Sequence, residues 1–255
     1  MINLKYLITG TGRCGTVFIS RFLTSVGIVC THEAFFTPFG LGVAKERLEK
    51  EYFSSSRISR KILPSERYGG SPFKGKPIAE SSHFAAPFLD SPILKDTVKI
   101  HLIRHPYKVI SSFVTNFSYF KPNSEDKLVY RNAQYKFEPL TRDYVGYFYK
   151  HFPQIIKYTT AIDRATAYYI LCNKLIENKG FLHRIEDPIE DLMDYLNISH
   201  DLLDVSYKNI KANTLGKNVE FNCNDITNEE LRKELIELME KYGYNEIEEN
   251  NFKVF

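Results

Sequence analysis

Gly10-Thr11-Gly12-Arg13-Cys14-Gly15-Thr16 places three glycines, an arginine and two hydroxyls within seven residues. Glycines let a turn close tightly and approach an anion without Cβ clashes. Free backbone N–H groups at the start of a following helix attract phosphate. A second basic cluster, Arg104-His105-Pro106, is followed by Ser112 eight residues after the arginine. Between the two clusters stand His32-Glu33 and His83. Glu33 is set among Phe35, Phe36 and Phe39. Partial burial there would raise its pKa towards the range of a general base, with His32 and His83 as the alternative bases.

The surrounding pattern supplies elements to hold these groups. Lys5 to Thr9 is β-prone and apolar. Residues 17–26 read as a helix with Phe18, Phe22 and Val26 on one face and Ile19 and Leu23 beside them. Ile28 to Thr31 reads as a second strand, which puts Glu33 at its carboxyl end. Pro77 to Glu80 and Val98 to Ile103 read as the next strands. Tyr107 to Val114 reads as a helix, with Pro106 at its start, where a missing N–H costs nothing. A helix at Ile162–Asn178, a last strand at Phe181–Ile185 and helices at Asp187–Leu196 and Asn228–Tyr242 follow. Short strands alternating with helices predict one α/β domain, a parallel sheet covered on both faces. Ligands of such sheets bind beyond the carboxyl ends of the strands.

Two stretches interrupt the alternation. Residues 45–76 are rich in Ser, Gly, Arg and Lys and read as a short helix near Val43–Tyr52 followed by a basic loop. Residues 116–160 are dense in aromatics, including Phe117, Tyr119, Phe120, Tyr147, Phe148 and Phe152. Core is the favoured reading for them, a substrate-binding wall the alternative. His101, alternating within a strand, reads as structural.

A chain of 255 residues can bury a large core, and a net charge of +3 does not mark a dedicated nucleic-acid binder. The four cysteines, Cys14, Cys30, Cys172 and Cys223, are widely spaced with no C-x-x-C. That argues against a disulfide framework or a zinc site, and no metal is expected. No apolar run approaches the roughly 20 residues of a membrane span, and the chain enters a core strand almost at once. The expectation is a cytoplasmic protein without membrane or nucleic-acid partners.

Three phosphate loops compete for residues 10–16. A Walker A loop fits Gly10 and Gly15, but Thr16 replaces its lysine and Val17 its magnesium-binding hydroxyl. A dinucleotide fingerprint matches Gly10-x-Gly12-x-x-Gly15, and Glu33 lies near the acidic position that would bind a ribose; Arg13 and Cys14 in the loop and bulky Ile19 count against it. The third reading covers more of the chain. Gly12-Arg13-Cys14-Gly15-Thr16 resembles the 5′-phosphosulfate loop of the sulfotransferase family, commonly G-R-S-G-T, with Cys14 as the one departure. Arg104 with Ser112 resembles that family's 3′-phosphate motif. His32-Glu33 and Arg184-Ile185-Glu186-Asp187 look like further recurring segments of the family.

The resemblance implies a P-loop NTPase-like sulfotransferase fold and the donor 3′-phosphoadenosine 5′-phosphosulfate. Its sulfuryl group would pass to a hydroxyl or amine of a small-molecule or carbohydrate acceptor. Gly12, Arg13, Cys14, Gly15 and Thr16 would hold the 5′-phosphosulfate, and Arg104 and Ser112 the 3′-phosphate. Gly216 and Lys217, in a late basic loop, would close over the adenosine phosphates. Arg13, Glu33 and His83 are the candidate catalytic groups. The stretches near 45–76 and 116–160 would flank the acceptor. The competing functions are a Rossmann-type NAD(P)-dependent oxidoreductase and a non-catalytic module that binds adenosine 3′,5′-bisphosphate.

Overall fold

The computed structural model describes residues 4–36, 78–116, 119–122, 139–203 and 221–244. The expected parallel sheet is present. Its strands are β1 (Tyr6–Thr9), β2 (Cys30–His32), β3 (Ala79–Ser81), β4 (Val98–Ile103) and β5 (Phe181–Arg184), in spatial order β2-β3-β1-β4-β5. All four pairings are parallel, with Tyr6 opposite both Ala79 and Val98.

Side-chain alternation along the strands divides the core in two. Tyr6, Ile8, Ile100 and Leu102 meet α1 (Thr16–Ser25) and α5 (Ile189–Leu196) through Ile19, Phe22, Leu23, Leu192 and Met193. Leu7 and Ile103 point to the other layer. That layer holds α2 (Pro106–Asn116), α3 (Pro139–His151), α4 (Ala161–Ile176) and α6 (Glu229–Lys241). The result is an α/β protein with helices on both faces of a parallel sheet.

Several elements differ from the sequence expectation. The second and third strands sit one to two residues later, at Cys30–His32 and Ala79–Ser81. Helix α3 lies inside the aromatic stretch, where rings on every side hide the helical period. A 3₁₀ segment over His83–Phe88 opens at Ser82, whose Oγ accepts the Phe84 N–H at 3.2 Å. The aromatics described between 119 and 152 are core: Tyr119, Phe120, Tyr147, Phe148, Tyr149 and Phe152 are buried. The Phe113 ring packs edge-on against Phe120 and Tyr168, at 5.2 and 5.6 Å between centroids. Among the described residues no helix is long and apolar enough to cross a membrane.

His101 has the structural place its alternation suggested. It lies on β4 with Nε2 2.9 Å from Asn173 Oδ1 on α4, and burial pushes its pKa down to about 4. In the unfolded chain it titrates near 6.5, so below that value the unfolded chain takes up the proton first. The stability contribution is therefore present above about pH 6.5 and is lost as pH falls through about 4, by roughly 3 kcal/mol. Urea unfolding across this range should show a steeper acid loss for the parent than for His101→Gln. Parallel curves for the two proteins would place the acid sensitivity elsewhere.

Candidate functional site

From β1 the chain runs outward to β2 on one side and later to β4 on the other, so the order reverses at β1. The crevice outside its carboxyl end is where open α/β sheets take ligands. Residues 10–16 occupy that position. Gly10 lies so close to β4 that a Cβ on it would stand 1.9 Å from the Leu102 carbonyl oxygen. Gly15, at φ 108°, is the N-cap of α1. No side chain caps this helix, and its first turn contains no acidic residue. Its opening N–H groups and positive dipole end are thus directed at the crevice without a built-in counter-charge. Arg13 also takes a positive φ, 72°.

The two basic motifs meet here. Arg13 Nε donates to Ser112 Oγ on α2 at 2.9 Å, and an Arg104 Nη1 donates to the Arg13 carbonyl at 3.2 Å. Arg13 therefore links them, its backbone in the glycine loop and its side chain on the helix after β4. The Tyr169 hydroxyl donates to the Arg104 carbonyl at 2.8 Å and fixes this junction from α4.

Cys14 does not face the crevice. Its side chain is buried in the α1 cluster, and burial pushes the thiol up to about 12. It is thus a protonated core group rather than a reactive thiolate. What it brings to the loop is backbone, and its N–H turns back onto the Thr11 carbonyl at 3.3 Å.

On the other side of β1 the three candidate bases converge. Glu33 Oε1 lies 2.9 Å from His83 Nδ1 and 3.7 Å from His32 Nε2. His32 Nε2 is also 3.1 Å from Thr16 Oγ1, so the first helical residue after the glycine loop is tied to the same group of side chains. Burial pushes the His32 pKa down, and nearby Glu33 opposes that shift. The Glu33 and His32 side chains are 21% and 24% exposed and that of His83 only 5%, so Glu33 and His32 are the members open to the crevice. Glu33 sits at φ 54°, its N–H donating to the Ser81 carbonyl at 3.2 Å. His83 is packed by Tyr147, whose hydroxyl donates to the His83 carbonyl at 3.0 Å.

Arg184 to Asp187 brace the far side of the edge. Arg184 pairs with Asp187 and donates to the Gly243 carbonyl at 2.7 Å, while Glu186 accepts the His105 N–H at 3.1 Å and the Tyr244 hydroxyl at 2.8 Å. These contacts fix the Arg104 junction to the end of α6.

Sequence reasoning missed two groups. The buried Tyr168 hydroxyl accepts the Gly12 N–H at 3.4 Å, and Glu80 accepts the N–H groups of Ala34 and Phe35. Tyr168 looked like an ordinary helix aromatic; Glu80 left a signal, a carboxylate inside an otherwise apolar strand. Gly216, Lys217, Phe39, Phe117 and the entire 45–76 stretch, with the helix expected near Val43–Tyr52, lie outside the described residues. Among the described residues no cluster of three or more His, Cys, Asp or Glu could hold a metal ion.

No protein-family model matches the chain, and no curated protein matches it. The geometry defines an α/β protein whose glycine loop, two arginines and carboxylate–histidine group share one edge of a parallel sheet.

Proposed function

We propose that the chain is a sulfotransferase that moves a sulfuryl group from 3′-phosphoadenosine 5′-phosphosulfate to a hydroxyl or amine of a small-molecule or carbohydrate acceptor. The observation that carries the reading is the junction of Arg13, Ser112 and Arg104 at an uncapped helix start, with the Glu33 carboxylate opening on the same sheet edge. The donor set fits the ligand: guanidinium groups and helix N–H groups for two anionic positions, with no lysine or hydroxyl placed as in a magnesium-dependent triphosphatase. Gly12 to Thr16 and Arg13 would hold the 5′-phosphosulfate, and Arg104 with Ser112 the 3′-phosphate.

When bound, the donor supplies an activated sulfuryl group on a phosphate leaving group. Glu33 takes the proton from the acceptor O–H or N–H as that atom forms its bond to sulfur. The bond between sulfur and the bridging phosphate oxygen breaks, and its electron pair leaves with the 5′-phosphate. Arg13 and the N–H groups of Gly15 and Thr16 neutralise the charge that grows there. His83, bonded to Glu33, holds the carboxylate towards the acceptor.

The strand order argues against the dinucleotide reading. In a Rossmann sheet β1 and β2 are neighbours, which lets the acidic residue after β2 reach the ribose of a ligand on the β1 loop. Here β3 separates them, and Glu33 is engaged by His83 instead.

Calorimetry tests the ligand class. Adenosine 3′,5′-bisphosphate should bind with a chelator present, in preference to ATP and NAD. Arg104→Ala should weaken it about ten- to a hundredfold, the worth of a charge-assisted hydrogen bond. Arg13→Ala should lower turnover more than affinity, because leaving-group charge grows in the transition state. Tight NAD binding with no response to the bisphosphate would overturn the proposal. Mass spectrometry of acceptor pools incubated with donor separates a transferase from a non-catalytic binding module.

A further inference from the structure

Glu80 is a fully buried acidic side chain on β3, the strand between the glycine-loop strand and the strand that leads to Glu33. It stands opposite Leu7 on β1 and Thr31 on β2. Its Oε1 accepts the Ala34 N–H at 2.8 Å and the Phe35 N–H at 3.1 Å. Its Oε2 is hydrogen-bonded to the Thr31 hydroxyl. That hydroxyl also lies 3.3 Å from the Ala79 carbonyl. A threonine hydroxyl has one proton and here faces two acceptors. Both contacts are satisfied when Glu80 carries a proton of its own. Glu80 then donates to Thr31 Oγ1, and Thr31 donates to the Ala79 carbonyl.

We propose that Glu80 is a positioning residue that works as an uncharged carboxylic acid, fastening the turn at residues 33–36 so that Glu33 is presented to His83. The proposal rests on the reading of Glu33 as the general base, but the protonation of Glu80 does not. The turn needs such a fastening. Glu33 adopts φ 54°, a left-handed conformation that is costly for a side chain of this kind. Its own N–H reaches Ser81, the residue after Glu80, so the two contacts clamp the turn to consecutive residues of β3. The groups that act most on Glu80 are its burial, the Thr31 hydroxyl and the backbone of residues 34–36. The titratable group beside it is the buried Cys30 thiol, pushed well above its ordinary range by burial and then by Glu80. Among the described residues no ion pair reaches Glu80, so a carboxylate there would be an expensive buried charge. Burial accordingly pushes the Glu80 pKa up to about 8, against the pull of its hydrogen bonds.

Infrared difference spectra of the parent against Glu80→Gln test the protonation directly. The parent should show a carboxylic-acid C=O band at neutral pH that Glu80→Gln lacks and that disappears with a midpoint near 8. Absence of that band would overturn the uncharged form whether or not the protein transfers sulfuryl groups. Thr31→Val should shift the band, because the acid proton loses its acceptor, and an unshifted band would overturn the Glu80–Thr31 bond. For positioning, Glu80→Gln reproduces the donor and acceptor pattern of the acid and should turn over within about threefold of the parent. Glu80→Ala should lose about ten- to a hundredfold in kcat, the cost of a misplaced reacting group, with affinity for the bisphosphate unchanged. A parent-like kcat in Glu80→Ala would overturn the positioning role. Should Glu80→Ala not fold, Thr31→Val bears the same kinetic test, with a smaller kcat loss expected and a parent-like kcat counting against the role. If no sulfuryl transfer is found at all, the infrared result still decides the state of Glu80, and the proposed function fails separately.

Discussion

Glu33→Gln is expected to lower turnover by about 10²–10⁴-fold, the span that general-base catalysis supplies. Folding and bisphosphate binding should stay close to the parent. The amide keeps the size of the carboxylate and its place beside His83 Nδ1, at 2.9 Å in the parent. What it cannot do is take the acceptor's proton. The parent rate should fall at low pH with a titration that Glu33→Gln lacks, since protonating the base and replacing it by an amide remove the same function. The two neighbouring histidines make the comparison sharp. His83 is nearly enclosed and His32 is bonded to Thr16, so His83→Ala and His32→Ala should disturb orientation and loop geometry without removing the base. Near-parent turnover in Glu33→Gln, with His83→Ala inactive, would transfer the base role to His83.

Gly10→Ala is expected to destabilise the protein by about 3–5 kcal/mol, among the largest single-residue effects. The added Cβ would stand 1.9 Å from the Leu102 carbonyl and 2.9 Å from Cys14 Sγ. The first obstacle is backbone of the paired strand β4, which cannot swing aside as a surface side chain can. Relief requires β1 and β4 to separate where they form the floor of the site. Gly27→Ala is the control: Gly27 sits at φ 91° with nothing within 4 Å of an added Cβ. Its cost is backbone strain alone, about 1–3 kcal/mol. Urea unfolding of both variants measures the difference. Equal losses would mean that close approach to β4 is not what position 10 requires.

The local periodicities of this chain determined most of its elements. A strand at Val98–Ile103 and a helix opened by Pro106 appear where apolar alternation and the missing proline N–H required them. The glycines of residues 10–15 and the arginine at the end of β4 were legible as candidate anion-binding groups because backbone freedom and charge are properties of residue type. Only the tertiary structure decided which of these groups meet. Periodicity specifies a strand but not its neighbour in a sheet, so the insertion of β3 between β1 and β2 could not be read from the sequence. That insertion brings His83 to Glu33 across fifty residues and puts Glu80 beneath the turn that carries Glu33. The direction of a loop side chain likewise depends on backbone angles set by packing. With Arg13 and Gly15 both at positive φ, the Cys14 sulfur turns into the core, while the Arg13 side chain reaches Ser112.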